Sequence, residues 1–170
     1  MVPILFFLIA AGGVRGIKRD LYEGGIRVPF IARWQGHIPA NTKSDFIGAF
    51  WDILPTFVEL AGGQTPKDLD GISIVPVLTD KGYKQTHHHL YWEFHERGGM
   101  QALRKDNWKL VRLNVDNKQK QTVELYDLSK DPAEQYDLAT QHPDILTELT
   151  TLVDKEHTLS TLFPFAYEGE

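Results

Sequence analysis

Lys18 lies in a setting where an ammonium group could serve chemistry. It belongs to the segment GIKRDLYEGG, and no carboxylate stands at helical spacing to pair with it. The pair Gly24-Gly25 ends the segment, and glycine reaches backbone angles that are closed to other residues, so we predict a sharp reversal there. A lysine on a loop before such a turn could be offered to a bound anion. An ordinary exposed loop lysine is the alternative.

A second group of polar side chains precedes another glycine pair. His95, Glu96 and Arg97 follow a strand-like run and stand just before Gly98-Gly99. Imidazole, carboxylate and guanidinium groups at a strand end beside a glycine loop are typical of functional sites, so a site is one interpretation of these residues. A solvated hairpin tip would have the same composition and is the alternative.

The run His87-His88-His89 raises the question of a metal site. On a strand His87 and His89 would share a face, but a zinc site needs a third ligand, and nothing in the sequence supplies one at a known spacing. The chain has no cysteine, which excludes disulfides and thiolate metal sites. We therefore predict no metal ligands in this sequence.

A strand is predicted directly after the Lys18 segment. The run Ile26 to Ala32 is rich in β-branched and aromatic residues, and Pro29 within it marks a strand start, an edge or a bulge. A buried strand carrying Arg27 needs a partner for that charge, and Glu23 is the obvious candidate. An edge strand without neighbours would expose backbone groups, so we expect self-association through it.

A helix is predicted between Asp52 and Gly62-Gly63. The Asp52 carboxylate would cap the helix, and the glycine pair would end it. A capping role already accounts for Asp52, so we favour it over catalysis. One apolar face, predicted to pack inward, is formed by Ile53, Phe57, Leu60 and Ala61.

The second half of the sequence predicts a small antiparallel sheet. Four short runs are separated by glycine, Asp-Asn and polar segments: His89 to Phe94, Gln101 to Arg104, Trp108 to Leu113 and Val123 to Leu128. We expect Arg104 and Lys109 to be structural, on adjacent strands. Pro143 opens a final helix whose apolar stripe would cover the sheet, and the tail Leu162 to Tyr167 would dock back.

Length and composition indicate one folded unit with a core, because 42% of the 170 residues are hydrophobic and 24% are charged. The net charge of −5 and the lack of a dense Lys/Arg cluster argue against nucleic acid as a partner. The apolar run Val2 to Ala11 is too short to span a bilayer, and no Lys or Arg precedes it. The alternatives are a truncated or atypical signal, a buried strand and a start site inside a longer gene, and the family resemblance described below favours the start site.

The segment from Gly16 to Pro29 resembles the part of the type I sulfatases that runs from the last active-site lysine into a strand of the central sheet. Further pieces match that family's C-terminal half in the same order: WDILPT with LAG, DGIS, LYWEF, Arg104 with WKL, and ELYDL with DPAE. The resemblance covers about residues 15 to 165. No single piece is long, but their order makes the signal strong.

The resemblance implies hydrolysis of a sulfate ester at a calcium-type metal site. In that family a formylglycine, made from Cys or Ser in a C/S-x-P-x-R motif, is the nucleophile. This sequence has no Cys, and no Ser stands in the motif among Ser44, Ser73, Ser129 and Ser160. The family's metal-binding Asp and Asn residues and its catalytic His precede the matched portion, so the resemblance places no calcium ligands here.

Only the lysine carries over, to Lys18, where it would bind a sulfate oxygen and stabilise charge as the S–O bond breaks. In the bacterial sulfatases that this sequence most resembles, a segment similar to the one with His95 and Glu96 borders the mouth of the active site, so the resemblance makes these two residues candidate substrate contacts. The implied partner is a sulfated small molecule or glycan. The implied location of the family's members is periplasmic or secreted.

The expected fold class is an α/β fragment of the alkaline-phosphatase-like type, with an α+β C-terminal part in which a terminal helix covers the sheet. The expected organisation is an apolar run (1–14), the end of the catalytic domain (15–63), a linker loop (64–84) and the sheet subdomain (85–170).

Three functions remain open from the sequence. The first is a C-terminal sulfatase fragment that has no turnover alone, because one lysine cannot position a substrate without the nucleophile. The second is a binding or assembly module without chemistry. The third is a relative of the phosphoester hydrolases, against which the Lys18 motif argues.

Overall fold

A computed structural model describes residues 13–79 and 86–168. Its elements in chain order are α1 Glu23–Ile26, α2 Ile53–Leu60, α3 Val75–Leu78, β1 Leu90–Phe94, β2 Met100–Lys105, β3 Trp108–Leu113, β4 Thr122–Asp127 and α4 Pro143–Glu156, with short 3-10 turns at Phe50–Asp52 and Ala166–Glu168. Within the described ranges no helix has the length and apolar character needed to cross a membrane. The apolar run Val2 to Ala11 lies outside the described residues.

The chain forms two compact units. The sheet unit contains residues 13–28 and 89–168, and the helix unit contains residues 29–79 and 86–88. The segment that carries Lys18 therefore belongs to the unit of the C-terminal sheet. The predicted boundaries at 15–63, 64–84 and 85–170 stay a prediction, and part of the linker, residues 80–85, lies outside the described ranges.

The sheet is antiparallel with strand order β1-β2-β3-β4, which confirms the prediction of four short strands. Alternating side chains give it two apolar faces. One face packs against Leu21 and Tyr22, which precede α1. The other face, with Leu103, Leu110 and Leu125 in register across three strands, packs against α4.

Helix α4 covers that second face as predicted. It begins at Pro143, whose missing N–H is unneeded in a first turn. Leu149 and Val153 are fully buried against the sheet, with Ile145 and Leu152 beside them. Their spacing of three and four residues places all four on one side of the helix.

The prediction of a strand at Ile26 to Ala32 is wrong. The chain instead forms the helical turn α1, and no strand is found from there to residue 35. A strand needs a neighbour to pair its backbone groups, and none is supplied here, so Val28 and Ile31 are 71% and 91% exposed. Arg27 is also exposed, and Glu23 does not pair with it.

The helix unit confirms the position of α2 but not its buried face. Gly62, with a φ of +70°, lies just past the end of the helix at Leu60, as a C-terminal glycine should. Phe57, which was predicted to pack inward, is 63% exposed, and the buried side is formed by Pro55 and Thr56. The Thr56 hydroxyl explains the inversion, because it accepts the N–H of Ile74 and donates to a backbone carbonyl.

Asp52 is structural in the helix unit. Its buried carboxylate accepts the N–H groups of Ala49 and Ile72 at 2.8 and 2.9 Å, and it lies 2.9 Å from His87 Nε2. The carboxylate thus caps the 3-10 turn before α2 rather than α2 itself.

Candidate functional site

The Lys18 loop, residues 16–20, is a tight turn that the backbone and side chain of Asp20 close. The Asp20 N–H donates to the Ile17 carbonyl at 2.9 Å, and the Asp20 carboxylate accepts the Ile17 N–H at 2.8 Å. Arg19 has a φ of +79°, so the backbone passes through the left-handed region here. Lys18 itself is exposed, and no carboxylate of the described residues pairs with it.

The glycine pair after the loop serves close approach rather than unusual backbone angles. Neither Gly24 nor Gly25 has a positive φ, and both lie in α1. A Cβ on Gly25 would lie 2.0 Å from the Asp20 carbonyl oxygen, and one on Gly24 would lie 2.3 Å from the Gly16 oxygen. The Gly24 N–H donates to the Arg15 carbonyl at 2.6 Å. Helix α1 therefore packs backbone to backbone on the Lys18 loop.

The hairpin tip between β1 and β2 meets the same loop. Glu96 lies 3.4 Å from the Arg19 guanidinium, and Arg97 donates to Asp20 at 3.0 Å. Both ion pairs are exposed, so each contributes little to stability. The structure therefore brings Glu96 to the residue next to Lys18.

His95 is engaged elsewhere. Its ring stacks on Phe165 with centroids 3.9 Å apart and nearly parallel planes, and its Nε2 lies 3.1 Å from Glu93. Its Nδ1 is buried and has no hydrogen-bond partner among the described residues. Phe165 of the aromatic tail is fully buried, so the tail docks back through this residue, whereas Leu162 and Phe163 are 94% and 64% exposed.

A histidine that the sequence reasoning missed holds this tail. His157 Nδ1 lies 2.6 Å from Glu93, and its Nε2 contacts Glu168, whose other oxygen accepts the Phe165 N–H. We call His157, Glu93 and Glu168 the tail latch. Burial disfavours the charged ring, but hydrogen bonds to the two carboxylates outweigh it and raise the pKa of His157. Both nitrogens face acceptors, so the ring is held as a cation.

We expect the order of the tail to fall as pH rises. A histidine whose pKa is higher in the folded state stabilises that state fully below its ordinary pKa of about 6.5, and the stabilisation is lost as pH rises through the folded value. Amide exchange at Phe165, corrected for the intrinsic pH dependence, should accelerate across that range. In a His157→Gln variant the profile should be flat, and an equally steep profile there would contradict the latch.

A buried charged cluster lies beneath α1. The Lys109 ammonium on β3 is 2.9 Å from the Glu23 carboxylate and 2.8 Å from that of Glu134, and all three side chains are buried. The second Glu134 oxygen accepts the Glu23 N–H at 2.6 Å. Burial raises the pKa of Glu134, and the nearby Lys109 charge opposes that effect only in part. We call these residues the Lys109 cluster.

The sequence reasoning placed Lys109 correctly but missed its partners. Arg104 and Lys109 do face each other across β2 and β3, as expected for structural residues. The Lys109 side chain, however, pairs with carboxylates far away in the sequence. The sequence did indicate that Lys109 is buried. Side chains alternate between the two faces of a strand, so Lys109 lies on the same face as Val111, toward an apolar core.

A second polar network holds the start of the loop segment. The Arg15 guanidinium lies 3.8 Å from the centre of the Tyr22 ring and donates to the Tyr126 hydroxyl at 2.7 Å. The hydroxyls of Tyr22 and Tyr126 both donate to Glu124. Burial and the Glu124 carboxylate raise the pKa of Tyr22.

The histidine run divides between the two units. His87 pairs with Asp52 in the helix unit, and His89 lies 3.2 Å from Glu156 in the sheet unit. Across residues 13–79 and 86–168 no group of three or more His, Asp or Glu side chains is arranged to hold a metal ion.

Comparison with known proteins identifies the family. The family described as N-sulphoglucosamine sulphohydrolase, C-terminal, matches residues 17–158. An ulvan-active sulfatase of Formosa agariphila is 31% identical, and the match covers 82% of this chain and 34% of that protein. Arylsulfatase A of Homo sapiens is 30% identical, and the match covers 85% of this chain and 34% of that protein.

A solved structure agrees with these relatives. It comes from work on the metabolism of multiple glycosaminoglycans by Bacteroides thetaiotaomicron, and it superposes with a TM-score of 0.68 at 29% identity. The superposition covers 85% of this chain and 32% of that one. The chain belongs to the sulfatases, which have the alkaline-phosphatase-like α/β fold. Within that family, the chain corresponds to the C-terminal portion of its members. It spans about a third of the length of these relatives.

Proposed function

We propose that this chain is the C-terminal part of a sulfatase that hydrolyses sulfate esters of a carbohydrate, and that Lys18 binds the sulfate. The family match over residues 17–158 carries the proposal, and the resemblance of residues 16–29 to the lysine segment of the sulfatases supports the role of Lys18. The Lys18 side chain is exposed and unpaired among the described residues, so it is free to meet an anion. The carbohydrate is supported by the name of the ulvan-active relative and by the glycosaminoglycan work from which the similar structure comes.

Hydrolysis adds water across the ester and releases an alcohol and sulfate. Negative charge grows on the ester oxygen as its bond to sulfur breaks, and an ammonium group held beside this oxygen stabilises that charge. Lys18 has this role in the proposal. Glu96, which pairs with Arg19 next to Lys18, would accept a hydrogen bond from a substrate hydroxyl. His95 would contact substrate once Phe165 of the tail no longer stacks on the His95 ring.

Sulfatases are metal-dependent, and we propose calcium for the longer protein. The described residues do not fit a calcium site, since they contain no suitable group of carboxylates and histidines. The formylglycine nucleophile is likewise not encoded here, because the sequence lacks its motif.

The chain alone is expected to have no sulfatase turnover. A charge-stabilising group accelerates a reaction only when the substrate is held against a nucleophile. Release of the alcohol from an aryl sulfate, measured with calcium present, should not exceed the rate without protein. Clear activity that Lys18→Ala abolishes would contradict this expectation while supporting sulfate binding by Lys18.

Two other functions are separated by simple measurements. A binding or assembly module without chemistry would be indifferent to Lys18→Ala in every assay. A phosphoester hydrolase relative would, as the full-length protein, bind phosphate more tightly than sulfate in a competition assay. The sulfatase proposal requires the reverse preference and a loss on Lys18→Ala.

The remaining proposals concern the longer protein and its surroundings. We propose a periplasmic or secreted location, with residues 15–63 as the end of the catalytic domain and 85–170 as the sheet subdomain. The exposed apolar residues Val28, Phe30 and Ile31 support self-association of the isolated chain through this segment.

A further inference from the structure

Glu134 contacts both ends of the segment that carries Lys18. Its backbone carbonyl accepts a hydrogen bond from Arg15 at 3.2 Å, just before the Lys18 loop. Its side chain accepts the Glu23 N–H at 2.6 Å, just after the loop. Glu134, in the loop that follows β4, is therefore hydrogen-bonded to the chain on either side of Lys18.

The Glu134 backbone is strained at this point. Its φ is +53°, in the left-handed region that a residue with a long side chain rarely adopts. The neighbouring turn fixes it, since the Glu134 N–H donates to Asp131 at 3.1 Å. Strain of this kind persists where surrounding contacts require it and is concentrated at functional sites.

The charges of the Lys109 cluster also indicate that Glu134 has a role beyond neutralising Lys109. One buried carboxylate would be enough to neutralise Lys109, and a second one adds a desolvated negative charge. The second carboxylate is therefore not explained by charge balance. Lys109 already links β3 to Glu23 of α1, and Glu134 adds a second link, because one of its oxygens lies beside Lys109 and the other accepts the Glu23 N–H. Helix α1 in turn packs directly on the Lys18 loop.

We propose that Lys109 and Glu134 are positioning residues for Lys18, which together fix the loop so that its ammonium is presented at one place. The inference rests on the proposed function for what the loop binds. It goes beyond that function by assigning a role to two buried residues that touch no substrate.

The test is Glu134→Gln in the full chain. A glutamine has one side-chain acceptor, but Glu134 faces two donors, so the amide must turn its NH₂ toward either Lys109 or the Glu23 N–H. Loss of either the ion pair with Lys109 or the hydrogen bond from the Glu23 N–H should accelerate amide exchange in residues 16–26 by about tenfold, with less change in β2 and β3. The affinity for inorganic sulfate, read from resonance shifts of residues 16–20, should fall by a similar factor.

The matched control is Glu148→Gln. Glu148 is exposed on α4 and pairs with Lys105, so the same substitution removes an ion pair without touching the loop. Both readouts should stay at the wild-type value. Loop amides that exchange no faster than sheet amides in Glu134→Gln would overturn the positioning role and leave a purely structural ion pair.

The two proposals fail in different ways. If sulfate shifts no resonance of the wild-type loop, sulfate binding by Lys18 is wrong, and amide exchange still decides the positioning role. If Glu134→Gln does not fold, Glu23→Gln decides, because its amide oxygen can still accept from Lys109 while the charge attraction between this residue and Lys109 is lost. That variant should accelerate loop exchange selectively by about threefold, and uniform acceleration would overturn the inference.

Discussion

Lys109→Met is expected to destabilise the sheet unit by about 3 to 5 kcal/mol. The methionine fills a similar volume but leaves the Glu23 and Glu134 carboxylates buried side by side without a counter-charge. Breaking a buried ion pair by removing one partner is costly for this reason. The free energy of unfolding, measured in urea through amide resonances of β2 and β3, checks the value.

Lys105→Met is the control on the neighbouring strand. Its ammonium pairs with Glu148 at the surface, where water screens the charges, so the change should cost less than about 1 kcal/mol. The deficit of Lys109→Met should also shrink as pH falls, because protonation removes the repulsion between the two carboxylates. Equal costs for the two variants, or a deficit that is constant with pH, would mean that the buried carboxylates are not the cause.

The sheet unit was largely predictable from local signals. Turn residues such as Gly98-Gly99 separate the strands, and Pro143 marks the start of α4, so each element carries its own boundary in the sequence. The run Ile26 to Ala32 fails for a physical reason. Its composition suits a strand, but a strand exists only with a partner, and the described residues offer it none.

The candidate site was predictable only in part. Lys18 came from a family resemblance, and Glu96 came from its place beside a glycine pair; the structure brings Glu96 to the neighbouring Arg19. Lys109 and Glu23 lie 86 positions apart, so no periodic pattern can reveal their contact. His157 was missed because a lone histidine after a helix gives no signal until the tail folds onto it.

Gly25→Ala is expected to destabilise the sheet unit by about 3 kcal/mol and to abolish measurable sulfate binding at Lys18. An alanine in a helical turn is ordinarily favoured over glycine by about 1 kcal/mol. Here its Cβ would lie 2.0 Å from the Asp20 carbonyl oxygen and 2.7 Å from that of Ile17. Both are backbone atoms that cannot rotate away, so the clash outweighs the gain, and the Lys18 loop must separate from α1.

Gly63→Ala provides the matched control for this substitution. Its Cβ would meet the Val58 side chain at 3.2 Å, and a methyl group can move by the few tenths of an ångström required. The free energy of unfolding should then change by no more than about 1 kcal/mol. If Gly25→Ala instead left sulfate-induced shifts at Lys18 unchanged, the lysine would not depend on the contact between α1 and its loop. The ammonium would then act as an independent surface charge, whose attraction for sulfate falls steeply with added salt.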